Sequence, residues 1–305
     1  MALLYCQCSH ACGFAGPTEF PEICNLKTAA LTMSYLTYFW GLPTRSMTQP
    51  RSPSVAATAA RLECPTPATL AWGVTANLVL RRYFGLSFDT RFPFTGGGED
   101  IAACLQSQNA LDMQLLCCPG ALVTHPWWEQ GDFSSWRFFN WTQGDGLLLD
   151  MFPQHRYVAL PNAVELCAAV LALASGALIA ATVFPPAMNM ALLLGAWLIL
   201  ILLIDTGADL HHYLMVDKDI AMGWTGSFTP YRVTASMLGT VYKNHVELGH
   251  LWVQLKRGRW YHICHRFDYY CGLNPQAILE DCRRKSWSFL LQITPALLYC
   301  AMVVA

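Results

Sequence analysis

Two adjacent carboxylates, Glu99 and Asp100, stand between three glycines and an apolar segment in the stretch FPFTGGGEDIAACL, residues 92–105. Glycine tolerates positive φ and lets a backbone or a ligand approach closely. The apolar residues that follow predict a helix that anchors the pair in a core. A carboxylate held in this way can serve as a general base toward a hydroxyl group. The alternative is that both acids only occupy the first turn of a helix, where the helix dipole favours negative charge.

Two further segments carry residues that suit a polyhydroxylated ligand. The stretch WGVTANLVLRR, residues 72–82, predicts a turn and then a strand, with Asn77 at the turn. Its amide can bond either a ligand hydroxyl or the local backbone. The stretch RFFNWTQGDG supplies Arg137, which can bind a diphosphate through two hydrogen bonds, and Trp141, whose ring can pack on a pyranose. The alternative for these aromatic residues is a belt at a membrane surface.

These segments resemble the acceptor half of a family 2 glycosyltransferase of the cellulose-synthase-like type. That family has a GAN-like turn with an arginine pair, an FDxRF segment, a GGED or TED motif and a Q/R-x-x-R-W-x-x-G motif. In this chain the resemblance covers about residues 70–146, and the FDxRF segment reads FDTRF. It implies that Asp100 is the base that deprotonates the acceptor hydroxyl and that Glu99 supports it. The implied substrate contacts are Asn77, Gly97, Gly98, Arg137 and Trp141.

The resemblance also implies the reaction and its partners. It is an inverting transfer from a nucleotide-diphosphate sugar to a glycan or other hydroxyl acceptor, with Mg²⁺ or Mn²⁺ offsetting the diphosphate charge. The chain departs from the family at Asn140, which replaces the second arginine of the later motif and removes a positive charge. No D-x-D or G-x-G-x-x-G precedes the ED pair, and we interpret the D-x-D at 217–219 as a solvated juxtamembrane feature.

From these departures we expect a fragment that lacks the donor-binding half and is inactive by itself. The alternatives are a catalytically inactive pseudo-glycosyltransferase and a membrane assembly subunit without chemistry. Binding of a nucleotide sugar to the purified chain separates the first of these hypotheses from the other two.

Composition indicates an integral membrane protein. Of the 305 residues 54% are hydrophobic and only 13% are charged, against about 25% charged in a typical soluble domain. The net charge of −1 provides no basic field for a nucleic acid. Cys6, Cys8, His10 and Cys12 lie close together, but their spacing matches no common zinc arrangement, so we predict no metal site in the chain.

The predicted organisation has five parts. An N-terminal segment with a Pro-rich linker (1–69) precedes a partial α/β domain of glycosyltransferase type A (70–161), a transmembrane hairpin (162–205), a polar loop (206–286) and a third transmembrane helix (287–305). The hairpin rests on the uncharged runs 164–184 and 188–204. Clustered Lys and Arg in the loop predict a cytosolic catalytic side, in the plasma membrane or in the Golgi or endoplasmic reticulum. Within this loop we expect interfacial helices around 234–255.

Overall fold

The structure is a computed structural model that describes residues 11–15, 18–19, 25–30, 69–70, 72–73, 75–92, 97–117, 123–124, 126–153, 156–158, 161–216, 228–259, 265–267 and 286–298. The cysteine cluster at 6–12, most of the Pro-rich linker and the D-x-D at 217–219 lie outside the described residues. What is described is mostly helical, with short strands.

A small sheet gathers four of the strands. The described strands are β1 (Ala11–Ala15), β2 (Thr18–Glu19), β3 (Thr69–Leu70), β4 (Leu78–Leu80), β5 (Gln114–Cys117), β6 (Val123–Thr124), β7 (Arg156–Val158) and β8 (His265–Phe267). The sheet order is β3-β5-β1-β4, with β1 parallel to β5 and antiparallel to β4. Phe14 of β1 therefore lies between Val79 and Leu116. Residues 11–15, expected in a separate N-terminal segment, thus belong to the same sheet as β4, the strand predicted to follow the turn at Asn77.

The helices are α1 (Glu99–Leu111), α2 (Trp136–Trp141), α3 (Asp145–Met151), α4 (Ala163–Ala181), α5 (Ala187–His211), α6 (Thr229–Lys256) and α7 (Ser286–Leu298). The predicted helix after the ED pair is present as α1. Its buried face, which includes Ile101, Cys104 and Leu105, packs in one apolar core with Leu115 of β5 and Leu148 of α3. This core fixes the start of α1 against the sheet and against the segment that carries Trp141.

Helices α4 and α5 form the predicted hairpin. Asn162 and Glu165 start α4 with a reciprocal capping box, in which each side chain accepts a backbone N–H of the other residue, at 2.8 and 2.9 Å. Both helices are long and apolar enough to cross a membrane, and α5 continues to His211, beyond the predicted end at 204. Helix α7 is shorter; the indole N–H of Trp197 in α5 donates to the carbonyl of Gln292 in α7 at 2.7 Å.

Helix α6 packs on the hairpin and also on α2 and α3. We expected it to be interfacial, and Trp252 is indeed half-exposed, but the opposite face of α6 is buried. Polar residues spaced three or four positions apart run along that buried face, and we call them the polar stripe of α6: Ser236, Thr240, Lys243, Glu247, His250 and Gln254.

A buried ionic network joins the polar stripe to the end of the hairpin. The Lys243 ammonium donates to Asp205 Oδ1 and to Asp209 Oδ2, each at 2.7 Å, and the Thr240 hydroxyl donates to Asp209 Oδ2 at 2.8 Å. Burial alone would lower the pKa of Lys243, but the carboxylates of Asp209, Asp205 and Glu247 raise it above its usual value. Lys243 is therefore a charged anchor between α5 and α6.

Replacing Lys243 with Met should lower the free energy of unfolding by about 3–5 kcal/mol, because two buried carboxylates lose their counter-charge. Denaturation in detergent micelles measures the change. Lys256→Met, at the exposed end of the same helix, is the matched control and should have little effect. The account of the anchor is wrong if both substitutions have the same small effect.

Candidate functional site

The start of α1 holds both predicted acids. Gly97 and Gly98 have φ values of 110° and 94°, a region that non-glycine residues rarely adopt, and they turn the chain into the helix. The backbone N–H of Ile101 donates to Asp100 Oδ1 at 2.9 Å, and the backbone of Thr75 makes a further hydrogen bond with this carboxyl group. Thr75 opens the turn Thr75–Asn77, so the GAN-like turn and the GGED motif meet at Asp100.

The surroundings of Asp100 favour its protonated form. Burial and then the neighbouring charge of Glu99 raise the pKa of Asp100 to about 7, against the hydrogen bonds from Ile101 and Thr75, which act to lower it. Atom Oε2 of Glu99 is shielded from solvent and has no hydrogen-bond partner among the described residues. Both acids occupy the first turn of α1, as the alternative interpretation of the sequence also has it, and both are partly buried there.

The GGED turn packs backbone against backbone on the aromatic motif. A Cβ atom on Gly97 would lie 1.9 Å from the carbonyl oxygen of Trp141, and one on Gly144 would lie 1.8 Å from the carbonyl oxygen of Gly97. Gly98 packs on core side chains, since a Cβ atom at this position would lie 2.9 Å from both Leu148 and Phe92. These glycines therefore make room for protein backbone and core side chains.

Helix α6 supports the other side of the aromatic motif in the same way. A Cβ on Gly249 would lie 1.8 Å from the hydroxyl oxygen of Thr142, and one on Gly146 would lie 2.0 Å from a methyl carbon of Val253. Arg257, one residue past the end of α6, pairs with the Asp150 carboxylate of α3. The segment 141–146 is thus enclosed between the start of α1 and α6.

The two side chains predicted to contact substrate from the aromatic motif have protein partners. Arg137 pairs with Glu129 at 3.0 Å, and its guanidinium carbon lies 5.5 Å from the centre of the Trp128 ring. The partly exposed ring of Trp141 makes edge contacts with Trp128 and Phe138, with ring centres 5.2 Å apart in both cases. A diphosphate would have to share Arg137 with Glu129.

The structure brings five of the predicted site residues into one region: Asn77, Gly97, Gly98, Glu99 and Asp100, with the backbone of Trp141 against them. Sequence reasoning missed Gly144 and Gly249, which complete this packing. The G-D-G after Trp141 was a signal for the first. For Gly249 the signal was a glycine within the helical pattern of residues 229–256.

A divalent cation does not fit the described residues. No group of three or more His, Cys, Asp or Glu side chains within them is arranged to hold a metal ion. Glu99 and Asp100 supply two carboxylates, and raising the pKa of Asp100 to about 7 opposes the ionised form that a metal requires.

Comparison with known proteins found no match to a protein-family model, to a curated protein or to a solved structure.

Substituting Gly144 with Ala should separate the ED pair from the aromatic motif, because the new methyl group would overlap a backbone oxygen that cannot move away. We expect a clear loss of thermal stability and altered tryptophan fluorescence. Gly176→Ala is the matched control, since a Cβ at Gly176 meets nothing within 4 Å. Equal behaviour of the two variants would contradict the packing described above.

The Asp100→Asn variant should be more stable to heat than the wild type at pH 8. This difference in stability should shrink as the pH falls toward 4. The folded-state pKa of about 7 lies above the ordinary value of 3.8. The wild-type carboxyl therefore favours the folded state at low pH, and this contribution disappears as the pH rises through 7. Thermal unfolding of both proteins between pH 5 and 8 measures the effect, with Asp112→Asn at the exposed end of α1 as the control. If the difference in thermal midpoint between the wild type and Asp100→Asn is constant over this pH range, the pKa of Asp100 is not raised.

Proposed function

We propose that the described site is the acceptor side of an inverting, nucleotide-sugar-dependent glycosyltransferase. The observation that carries the proposal is the contact of Gly97 with Trp141 and Gly144. This contact packs the GGED motif against the aromatic motif. The two motifs are distant in sequence, and they occur in this order in family 2 glycosyltransferases. The GAN-like turn that begins at Thr75 joins them through its hydrogen bond to Asp100.

Asp100 takes the proton of the acceptor hydroxyl in this proposal. The hydroxyl oxygen then forms a bond to the anomeric carbon of the donor sugar while the bond from that carbon to the diphosphate breaks, and nucleoside diphosphate leaves. Attack opposite to the leaving group inverts the anomeric centre. A general base works best when its pKa lies near the working pH, and the charge of Glu99 helps to raise the pKa of Asp100 to about 7.

A membrane location is the second part of the proposal. The hairpin presents large apolar side chains outward, including Leu173, Ile179, Leu192 and Leu203, which are all more than half exposed. Such a surface is stable when lipid covers it. Because α6 connects the site to the polar end of the hairpin, the site lies on the side of Lys243, and the basic residues after the hairpin favour the cytosolic side.

A non-catalytic role is the second candidate, and Asn140 favours it. Without the second arginine of the motif, a leaving diphosphate loses a positive partner. A pseudo-glycosyltransferase or a membrane assembly subunit would keep the packing of the site for its stability alone.

The proposal predicts binding of an acceptor and little turnover by this chain alone. Positioning of both substrates supplies about 7–11 kcal/mol of the barrier, and no D-x-D precedes the ED pair to hold a donor. The chain in nanodiscs is incubated with a panel of nucleotide sugars, Mn²⁺ and neutral oligosaccharides. We expect no more release of nucleoside diphosphate than from Asp100→Asn, and weaker oligosaccharide binding by Trp141→Ala than by the control Trp252→Ala.

Two outcomes would contradict these expectations. Turnover above that of Asp100→Asn would show a donor site within this chain. Oligosaccharide binding that is unchanged in a folded Trp141→Ala variant, as judged by its thermal midpoint, would leave Trp141 with a packing role and would refute the acceptor site.

The membrane orientation has its own test in sealed vesicles with an impermeant maleimide. Cysteines introduced at the exposed positions Asn109 and Lys256 should be labelled from one side, and a cysteine at Val183 near the tip of the hairpin from the other, each above the signal of the parent protein. Labelling of Asn109→Cys and Val183→Cys from the same side would overturn the hairpin.

A further inference from the structure

An open cleft of about 780 Å³ lies beside α1, beyond the end that carries Asp100. One wall is the outer face of α1 near Gln106 and Asn109, the other is the loop 83–90 with Tyr83 and Phe88, and Phe152 lines it from the apolar core. Its volume falls within the range of about 300–1,000 Å³ that is usual for small-molecule sites.

The wall formed by α1 offers two side-chain amides to the cleft. Gln106 and Asn109 are three positions apart and therefore lie on one face of the helix. The described structure gives neither side chain a hydrogen bond, whereas the amide of Gln108, on another face, donates to the carbonyl of Cys104 at 3.4 Å. Each free amide has two donors and one acceptor oxygen, which suits a ligand with hydroxyl groups that both donate and accept.

The facing loop adds aromatic rings and a carboxylate. Phe88 is 53% exposed, and Tyr83 lies in the same wall. Such rings pack on the apolar C–H face of a pyranose. Asp89 accepts hydrogen bonds from the Arg91 guanidinium at 2.6 to 3.0 Å, which hold the pKa of this carboxyl group below its usual value. A carboxylate is a strong acceptor for hydroxyl groups, and the lone pairs that Arg91 leaves unused suit an uncharged ligand.

We propose that this cleft binds a neutral oligosaccharide, with the rings of Phe88 and Tyr83 packing on its sugar units and with Asp89, Gln106 and Asn109 bonding its hydroxyls. Along α1, Gln106 is six residues from Asp100, a rise of about 9 Å. A bound oligosaccharide can therefore extend from the cleft toward the ED pair. Its role as the distal part of an acceptor rests on the proposed function, whereas binding in the cleft does not.

Titration calorimetry of the full chain in nanodiscs tests the proposal. The probes are neutral tetrasaccharides of glucose, mannose, galactose, xylose and N-acetylglucosamine. We expect at least one to bind, and to bind about tenfold more weakly to Phe88→Ala and to Gln106→Ala/Asn109→Ala, the size of effect expected when about one good contact is lost. Gln108→Ala, on another face of the same helix, should bind as the parent does.

The outcomes separate the two proposals. If none of the tetrasaccharides binds, or if the cleft variants bind as tightly as the parent, the cleft is not a saccharide site. If only Trp141→Ala weakens binding, the saccharide lies at the ED pair alone and the cleft proposal fails while the proposed function stands. Loss of binding in the cleft variants together with unchanged binding by Trp141→Ala supports the cleft and refutes the acceptor site.

Discussion

The contact that organises this protein is an approach of backbone to backbone that only glycine permits. Gly97 lies against the carbonyl of Trp141, Gly144 lies against the carbonyl of Gly97, and Gly249 of α6 receives the side chain of Thr142. Any side chain at these positions would push the layers apart. The start of α1, the segment 141–146 and α6 are therefore stacked at distances set by the main chain. Because Glu99 and Asp100 begin α1, this packing also fixes their position.

This stack continues toward the hairpin through α6. The buried stripe of this helix places Lys243 against Asp205 and Asp209, at the end of α5. Two buried carboxylates and one ammonium are stable only while they remain together. Lys243 and Gly249 both lie on α6, so this one helix contacts the hairpin and also the segment 141–146 that packs on Gly97. The structure thereby joins the apolar helices to the acids by a continuous path of packed groups.

Much of the local structure follows from sequence patterns. The acids after three glycines predicted the start of α1, and the uncharged runs predicted α4 and most of α5, because helix caps and apolar length are local signals. The pairing of β1 with β4 and β5 depends on contacts between distant residues, which no local pattern contains. The segment 234–255 was predicted to be interfacial from its tryptophans, and the burial of Thr240 and Lys243 was not predicted, because their partners Asp205 and Asp209 on α5 are distant in sequence. The ion pair of Arg137 with Glu129 could not be predicted for the same reason, because no sequence pattern indicates which acid an arginine will contact.

The most direct test of the account is the titration of the Asp100 carboxyl group itself. Carbon NMR of the protein labelled at aspartate, with the Asp100 signal identified by its absence in Asp100→Asn, reports the midpoint of this one group. The account predicts a midpoint of about 7, which moves lower in Glu99→Gln because a neighbouring negative charge has been removed. A midpoint near the ordinary 3.8, unaffected by Glu99→Gln, would contradict it and would leave the pair as the acidic first turn of a structural helix.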